Sequence, residues 1–543
     1  MDKLRRIDIA SQDLTFARVL ERQASRNEAK PFLLFQDQSW SYRELDRITN
    51  RLANGLLAHG IHTGEHVALL IGNCAETLFL TLALGKIGAV VVPLNTAAKG
   101  DLLTYFLTQS DSTSIIVGSE SFARYAEVAV TAPAITRVIV VQEPGTNALG
   151  GASVPKREVV RYEALATASD APPNVDTTPQ DVHGIFYTSG TTGPSKGVMR
   201  SAGATLAFSM GRAEYLGYEP EDVIYTCLPL FHGNAMQAAS LPALLADATL
   251  ALSRRFSART FWDEVRRYGV THFNLLSSMT NILWGQPESP RDRDHKVRRV
   301  NMVPVAEFAP EFRQRFGVEI VSSYSLTDFG QGTFLQPGHP PEKQRSAGKP
   351  RPGVQLSIRD DDGCELPPGV AGEICLHATD PLLGERSYYK MPDANAQANR
   401  DGWFHTGDRG YLDEDGYLFF VDRKKDAIRR RGENISSWEV EQVILRHPAI
   451  MEAAVFPVQS EMSEDEVMAS IVCRPGQMLD PVELVRFCEA NMAYFMVPRF
   501  IEFLDALPKT MTEKVQKSAL KEAAQARLGE VWDREKAGIV LRR

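Results

Sequence analysis

From Ser41 to Val141 the chain alternates helix-period stretches with short, uninterrupted apolar runs, and few folds accommodate that alternation. Leu45, Ile48, Leu52 and Leu56 recur at three- and four-residue spacing and predict one apolar helical face. Val67–Ile71 (VALLI) is apolar at every position, as a strand buried on both faces must be. A second helical stretch, Glu76–Lys86, leads to the strand-like Ala89–Val92, which Pro93 stops; Ser114–Val117 and Arg137–Val141 repeat the strand pattern. Such strands cannot face water, so helices must cover both sides of a parallel sheet, and the expected fold class is α/β. Residues 144–178, rich in Gly, Ala, Pro and Thr, are expected to be mostly surface loop.

The texture changes twice further on. Between Gly348 and His377, short alternating runs broken by Asp-Gly and Pro-Pro-Gly predict an antiparallel, β-rich subdomain. After the basic run DRKKDAIRRRG comes a smaller α+β pattern: a helix at about Ser437–Arg446, a strand at Ala454–Phe456 and a helix near Pro481–Met492. With 543 residues the chain is expected to hold several folding units. The boundary is placed at the basic run, giving a large domain over residues 1–424 and a small one over 425–543.

Composition narrows the function classes. The formal charge of −8 disfavours a nucleic-acid partner. The six cysteines are scattered, without a CxxC pair or histidine clustering, so neither a disulfide framework nor a structural zinc site is expected. No signal-peptide core and no apolar run of membrane-spanning length is present, so a soluble, cytoplasmic chain without membrane insertion is expected.

The strongest local signal is the run Tyr187-Thr188-Ser189-Gly190-Thr191-Thr192-Gly193-Pro194-Ser195-Lys196-Gly197, directly after the strand-like Gly184–Phe186. Its glycines let backbone N–H groups turn toward a polyphosphate, its hydroxyls add donors or a metal ligand, and Lys196 supplies compensating charge. The GxxxxGK[ST] spacing of a Walker A loop is absent. This run resembles the signature of the acyl-adenylate-forming superfamily, which includes acyl-CoA synthetases, adenylation domains and luciferases. The resemblance extends from SYRELDRITNRLANGLLAHGI onward, over nearly the whole chain.

That resemblance implies a fold and a set of roles. The large domain would be built of parallel α/β sheets with a β-rich subdomain, and the small α+β domain would be mobile. Thr188, Ser189, Gly190, Thr191, Thr192, Gly193 and Lys196 would close over the ATP phosphates. Tyr324-Ser325-Leu326-Thr327-Asp328 is similar to the family's Tyr-Gly-x-Thr-Glu motif. There the tyrosine stacks on adenine, Thr327 would reach the α-phosphate, and Asp328, with Thr192, would bind Mg2+. Ser325 stands where glycine is usual and Asp328 where glutamate is usual; the shorter arm must move the metal or recruit a water.

Gly402–Asp408 (GWFHTGD) matches a further motif, in which Asp408 would accept hydrogen bonds from both ribose hydroxyls and Arg423 would add a charged donor. Lys425 falls at the family's hinge. Arg431, Gly432 and Glu433 resemble the loop that meets coenzyme A, and Lys514 aligns with the catalytic lysine, although Glu513 replaces the usual preceding glycine. His232, Ser277 and Val303 would line the acyl pocket. Among subfamilies, FCEANMAYFMVPRFIEFLDALPKT and PLFHGNAM look most like carnitine/crotonobetaine-type CoA ligases.

The implied activity is an ATP- and Mg2+-dependent acid-thiol ligase. It forms an acyl-adenylate with release of pyrophosphate, then an acyl-CoA with release of AMP. Its partners would be a small carboxylic acid, ATP and coenzyme A, and a homodimer is compatible with the pattern. Two alternatives stay open on the residues: loading of a carrier protein or other nucleophile, and a degenerate member that binds nucleotide or acyl ligand without turnover. Ser325, Asp328 and Glu513 motivate the second.

Overall fold

The computed structural model describes residues 6–541 apart from 144, 146–153, 155, 189–194, 385–386, 424–427, 431–432, 436, 460–464, 493, 495 and 511–513. For 277–278, 381, 384, 422–423, 429, 433–434 and 439 it describes the backbone alone.

The apolar runs form strands where expected. His66–Leu70, Val90–Pro93, Ser114–Gly118 and Arg137–Val141 lie parallel in an eight-stranded sheet, with Val182–Tyr187 beyond Val90–Pro93. Their side chains are buried on both faces, which is why these segments carry no polar alternation. Two strands extend this sheet antiparallel at one edge, Gly197–Ser201 against Val182–Tyr187 and Ser387–Tyr388 against Gly197–Ser201. The helix over Tyr42–Ala58 is fixed at its start by a capping box between Ser41 and Glu44 and buries Leu45, Leu52 and Leu56.

A second, nine-stranded sheet has the same plan. Pro31–Phe35, Thr249–Leu252, Val223–Thr226, His272–Leu276, Arg299–Val303 and Glu319–Leu326 are parallel neighbours in that order. Glu319–Leu326 then folds back on Gly330–Leu335 as an antiparallel hairpin. The helix Ala202–Leu216, capped by Ser201 and buried along most of its length, packs against strands of both sheets. The β-rich subdomain is an antiparallel sheet around Val354–Arg359, Gly372–Ala378, Trp403–Leu412 and Leu418–Arg423.

Most of the described residues within 144–178 carry no regular structure, as expected, with two short exceptions. Within residues 144–178 the chain forms a strand, Glu158–Arg161, parallel to Arg137–Val141, followed by a short helix, Tyr162–Leu165. The strand lies at the sheet edge and only Val160 points inward, so no apolar run marks it; Leu165 is nevertheless buried, with its backbone close against Gly55.

The last part of the chain has its own core. Ile450–Gln459, Asp465–Cys473, Phe500–Phe503 and Trp532–Asp533 form a four-stranded sheet with helices Ser437–Leu445, Pro481–Asn491 and Lys517–Ala526. Its two apolar clusters draw only on residues from Ile428 onward, whereas the clusters under the two large sheets draw only on residues up to Phe420. Among the described residues, no helix is long and apolar enough to cross a membrane.

Candidate active site

The strand Val182–Tyr187 and its antiparallel partner Gly197–Ser201 bracket the Ser/Gly/Thr run and fix where it begins and ends. Thr188 donates its backbone N–H to the Lys196 carbonyl at 3.0 Å, and Tyr105 Oη donates to the Ser195 carbonyl at 2.8 Å. Ser189, Gly190, Thr191, Thr192 and Gly193 lie outside the described residues.

The hairpin between Glu319–Leu326 and Gly330–Leu335 carries Thr327 and Asp328, half-buried, at its tip. Gly330 returns the chain at φ +99°, a conformation that favours glycine, and a Cβ there would sit 3.4 Å from the Arg200 guanidinium. Arg200, buried in the strand after Lys196, donates from Nη2 to the Thr327 carbonyl at 2.6 Å. Burial pushes the Arg200 guanidinium down to about 10, and the nearby Asp328 carboxylate opposes that fall. Tyr388 Oη donates to Asp328 Oδ2 at 3.0 Å, while Lys196 Nζ stands 4.7 Å from the centre of the Tyr388 ring. Burial, reinforced by the Asp328 charge, pushes the Tyr388 phenol above its ordinary range, so it serves as a donor. The structure thus brings Lys196, Thr327 and Asp328 together, and adds Arg200 and Tyr388.

Tyr324 and Asp408 also meet. The Tyr324 hydroxyl donates to Asp408 Oδ2 at 2.7 Å, and both side chains are buried. Asp408 follows a positive-φ glycine, Gly407, and pairs in register with the backbone of Arg423. The turn before it is held from the neighbouring strand. Gly407 N–H donates to Glu373 Oε1 at 3.1 Å, His405 Nδ1 lies 3.2 Å from Glu373 Oε2, and Thr406 Oγ1 donates to the Ile374 carbonyl at 2.7 Å. Cys375 Sγ is 3.5 Å from His405 Nδ1, so a cysteine and a histidine far apart in sequence do cluster here, because strand pairing sets Cys375 opposite His405. Glu373, Cys375 and His405 place one ligand atom each within 4.8 Å of one another, but the Glu373 carboxylate is already used to hold the turn. Ser325 is exposed at a register shift in the hairpin.

His232 caps the short helix Gly233–Ala235, and its Nδ1 accepts from Asn234 N–H at 3.2 Å. Burial, with the positive charge of Lys514 as the second cause, pushes the His232 imidazole down to about 4. Lys514 itself is exposed; its segment is closed by hydrogen bonds between Thr510 and Lys514 and by the Lys509–Glu452 ion pair at 2.6 Å. The charge of Lys514, in the C-terminal unit, thus contributes to the electrostatics at His232 in the preceding one. Asn234 Oδ1 accepts from Asn274 Nδ2 at 2.7 Å, and behind Asn274 lies Arg212, fully buried. Arg212 donates to the neutral acceptors Ala238 O at 3.0 Å, Gln331 Oε1 at 3.2 Å and Ser323 Oγ at 3.4 Å. Val303 ends the strand Arg299–Val303, half-buried. The side chains of Ser277, Arg423 and Glu433, and Lys425, Arg431 and Gly432 entirely, lie outside the described residues.

Sequence reasoning misses Arg200, Tyr388 and Arg212. Arg212 stands in the largely apolar stretch AGATLAFSMGRAEYL, where the helix is buried along most of its length. Arg200 and Tyr388 carry no comparable mark.

Known proteins resemble this chain over most of its length. Residues 20–384 match the AMP-binding enzyme family and residues 439–514 match the AMP-binding enzyme C-terminal domain. A crotonobetaine/carnitine–CoA ligase from Salmonella paratyphi B is 34% identical over 496 residues, 89% of this chain and 93% of the relative. The structure of an anthranilate CoA ligase, AuaEII, in complex with anthranoyl-AMP superimposes with a TM-score of 0.86 at 24% identity, over 96% of this chain and 99% of that one, a likeness of fold. An O-succinylbenzoate coenzyme A synthetase from Bacillus subtilis, in complex with ATP and magnesium ion, aligns with a TM-score of 0.78 at 27% identity over 93% of this chain and 99% of its own. The chain belongs to the AMP-binding enzyme family.

Proposed function

We propose that the chain is an ATP-dependent carboxylic acid:coenzyme A ligase that works through an acyl-adenylate in the cytoplasm, with a boundary between its two domains at residues 424 and 425. The observation that carries this is the gathering of Lys196, Thr327–Asp328 and the Tyr324–Asp408 pair about one hairpin. Together they offer the charge, donors and ribose acceptor that a nucleotide needs. The Lys514 charge, from the C-terminal unit, is the second cause, after burial, that lowers the His232 imidazole.

In the first half-reaction the substrate carboxylate attacks the α-phosphorus in line and pyrophosphate leaves. The residues orient the two reactants and compensate charge. Asp408 accepts the ribose hydroxyls, with Tyr324 Oη fixing its carboxylate from the other side. Lys196 and the Ser/Gly/Thr run hold the outgoing phosphates, and Lys514 steadies the charge that builds between carboxylate and phosphate. In the second half-reaction the coenzyme A thiolate attacks the acyl carbonyl and AMP leaves. Rotation about Lys425, as the family resemblance implies, would withdraw Lys514 and bring Arg431, Gly432 and Glu433 to the site.

The residues present fit Mg2+. Asp328 offers a hard carboxylate oxygen at a hairpin tip, oriented by Tyr388 and close to Thr327, which suits an ion that keeps several waters. Thr192 would be its second protein ligand. When bound, the ion neutralises phosphate charge.

Carboxylate-dependent pyrophosphate release across aliphatic, aromatic, dicarboxylic and betaine acids, with and without coenzyme A, tests the function. A thioester and AMP are expected with at least one class. Pyrophosphate without thioester would transfer the activity to another acceptor. ATP binding with no release from any acid would favour a degenerate member.

Asp408→Ala is expected to weaken ATP binding by at least about tenfold, since it removes the charged acceptor for two hydroxyls. Calorimetric titration with ATP checks this, and an unchanged affinity would remove Asp408 from the ribose role.

A further inference from the structure

Tyr388 reaches the site from outside every motif considered above. It lies in the edge strand Ser387–Tyr388, opposite Val198, two positions after Lys196. Its backbone is fixed independently of its hydroxyl: Tyr388 N–H donates to Asn395 Oδ1 at 2.7 Å, and the next residue, Tyr389, donates to the Gly197 carbonyl at 2.8 Å. The ring is buried in the apolar cluster beneath the large sheets. From that fixed ring the hydroxyl reaches Asp328 Oδ2 at 3.0 Å, and on the ring face stands Lys196 Nζ at 4.7 Å.

An aspartate places its carboxylate by two torsions, about Cα–Cβ and Cβ–Cγ, and the second turns the plane in which its lone pairs lie. A hydrogen bond to one oxygen sets that torsion. The backbone beneath is held as well, by Arg200 on the Thr327 carbonyl. The direction of the carboxylate at the hairpin tip is restrained from the side of the sheet edge, where Tyr388 is a neutral donor to Oδ2. The same ring gives the phosphate-loop lysine a resting place against its π face.

We propose that Tyr388 is a positioning residue of the nucleotide step: its hydroxyl aims the Asp328 carboxylate at Mg2+. This rests on the ligase function and on Asp328 as the metal ligand. Because the ring is held by its strand and by Asn395, Tyr388→Phe removes the hydroxyl while keeping the packing.

Calorimetric titration of the full chain with ATP, at a series of Mg2+ concentrations and in chelator, separates positioning from a structural role. Tyr388→Phe is expected to raise the Mg2+ concentration needed for half of the affinity gain by roughly tenfold, the worth of one hydrogen bond to a charged group. Metal-free ATP affinity is expected to change by less than about twofold, because the hydroxyl acts only through Asp328. In an Asp328→Asn background the same substitution is expected to shift the Mg2+ dependence by less than about twofold, as a double-mutant cycle requires of coupled partners. An unchanged Mg2+ dependence in Tyr388→Phe, an equal shift in both backgrounds, or an equal loss of metal-free ATP binding would each overturn the proposal. A wild-type chain that binds MgATP yet forms no thioester would sink the ligase function and leave this result readable. One that binds no ATP would sink both.

Discussion

Replacing Lys514 with alanine is expected to lower carboxylate-dependent pyrophosphate release by about a hundredfold or more, the range seen when one preorganised charge-stabilising donor is removed. Thioester formation from supplied acyl-adenylate and coenzyme A is expected to persist, because the lysine acts only while carboxylate and α-phosphate combine. The structural link is the Lys514 charge, which after burial is the second cause that lowers the His232 imidazole. Two measurements separate the possibilities. If both half-reactions fall together, Lys514 supports the fold or the docking of the C-terminal unit instead of the adenylation step. An NMR titration of His232 gives a readout independent of turnover: its pKa is expected to rise in Lys514→Ala, by less than the whole depression, because burial is the larger cause. Glu513, beside the lysine, lies outside the described residues; Glu513→Gly tests whether the unusual neighbour restrains the step.

The parts of the molecule legible in sequence are those where burial leaves no choice of residue. Val67–Ile71 and Val138–Val141 must be apolar throughout because both faces are covered, so their strands are visible without a structure. Glu158–Arg161 is an edge strand with one inward side chain, and its sequence looks like loop. The site divides in the same way. The Ser/Gly/Thr run is readable because phosphate binding demands those residue types in sequence. By contrast YSLTD is an ordinary strand and turn until the family pattern is recognised. Arg200 and Tyr388 are invisible because their partners lie 127 and 60 residues away and no periodicity links them. The influence of the Lys514 charge on His232 passes from one unit to the other, which no local pattern records.

Acidification is expected to destabilise the protein between about pH 6.5 and about pH 4, and buried histidines are a main cause, with His183 and His272 acting alongside His232. His183 is buried with its ring centre 4.1 Å from that of Phe16, and its Nδ1 has no hydrogen-bond partner among the described residues; burial pushes it down to about 3. His272, also buried, is pushed down to about 4 by burial, with Asp222 opposing and Arg299 and Arg298 assisting the fall. In each the folded pKa lies below the ordinary value of 6.5. As pH falls through that value, the unfolded chain takes up protons that the folded chain refuses until near its own lower pKa. Unfolding is therefore favoured progressively across this window, and above it these groups add no pH dependence. At about 1.4 kcal/mol per pKa unit the loss is on the order of a few kcal/mol for each histidine. Glu143 acts in the opposite sense, since burial raises its pKa and the folded state then binds a proton first. Urea unfolding at about pH 7, 5.5 and 4.5 reads the sum. His183→Leu is expected to reduce proton uptake on unfolding by nearly one across the window, flattening the fall in stability. A wild-type slope retained in His183→Leu would show that this imidazole is protonated in the folded protein and that its burial is relieved by water or by a partner.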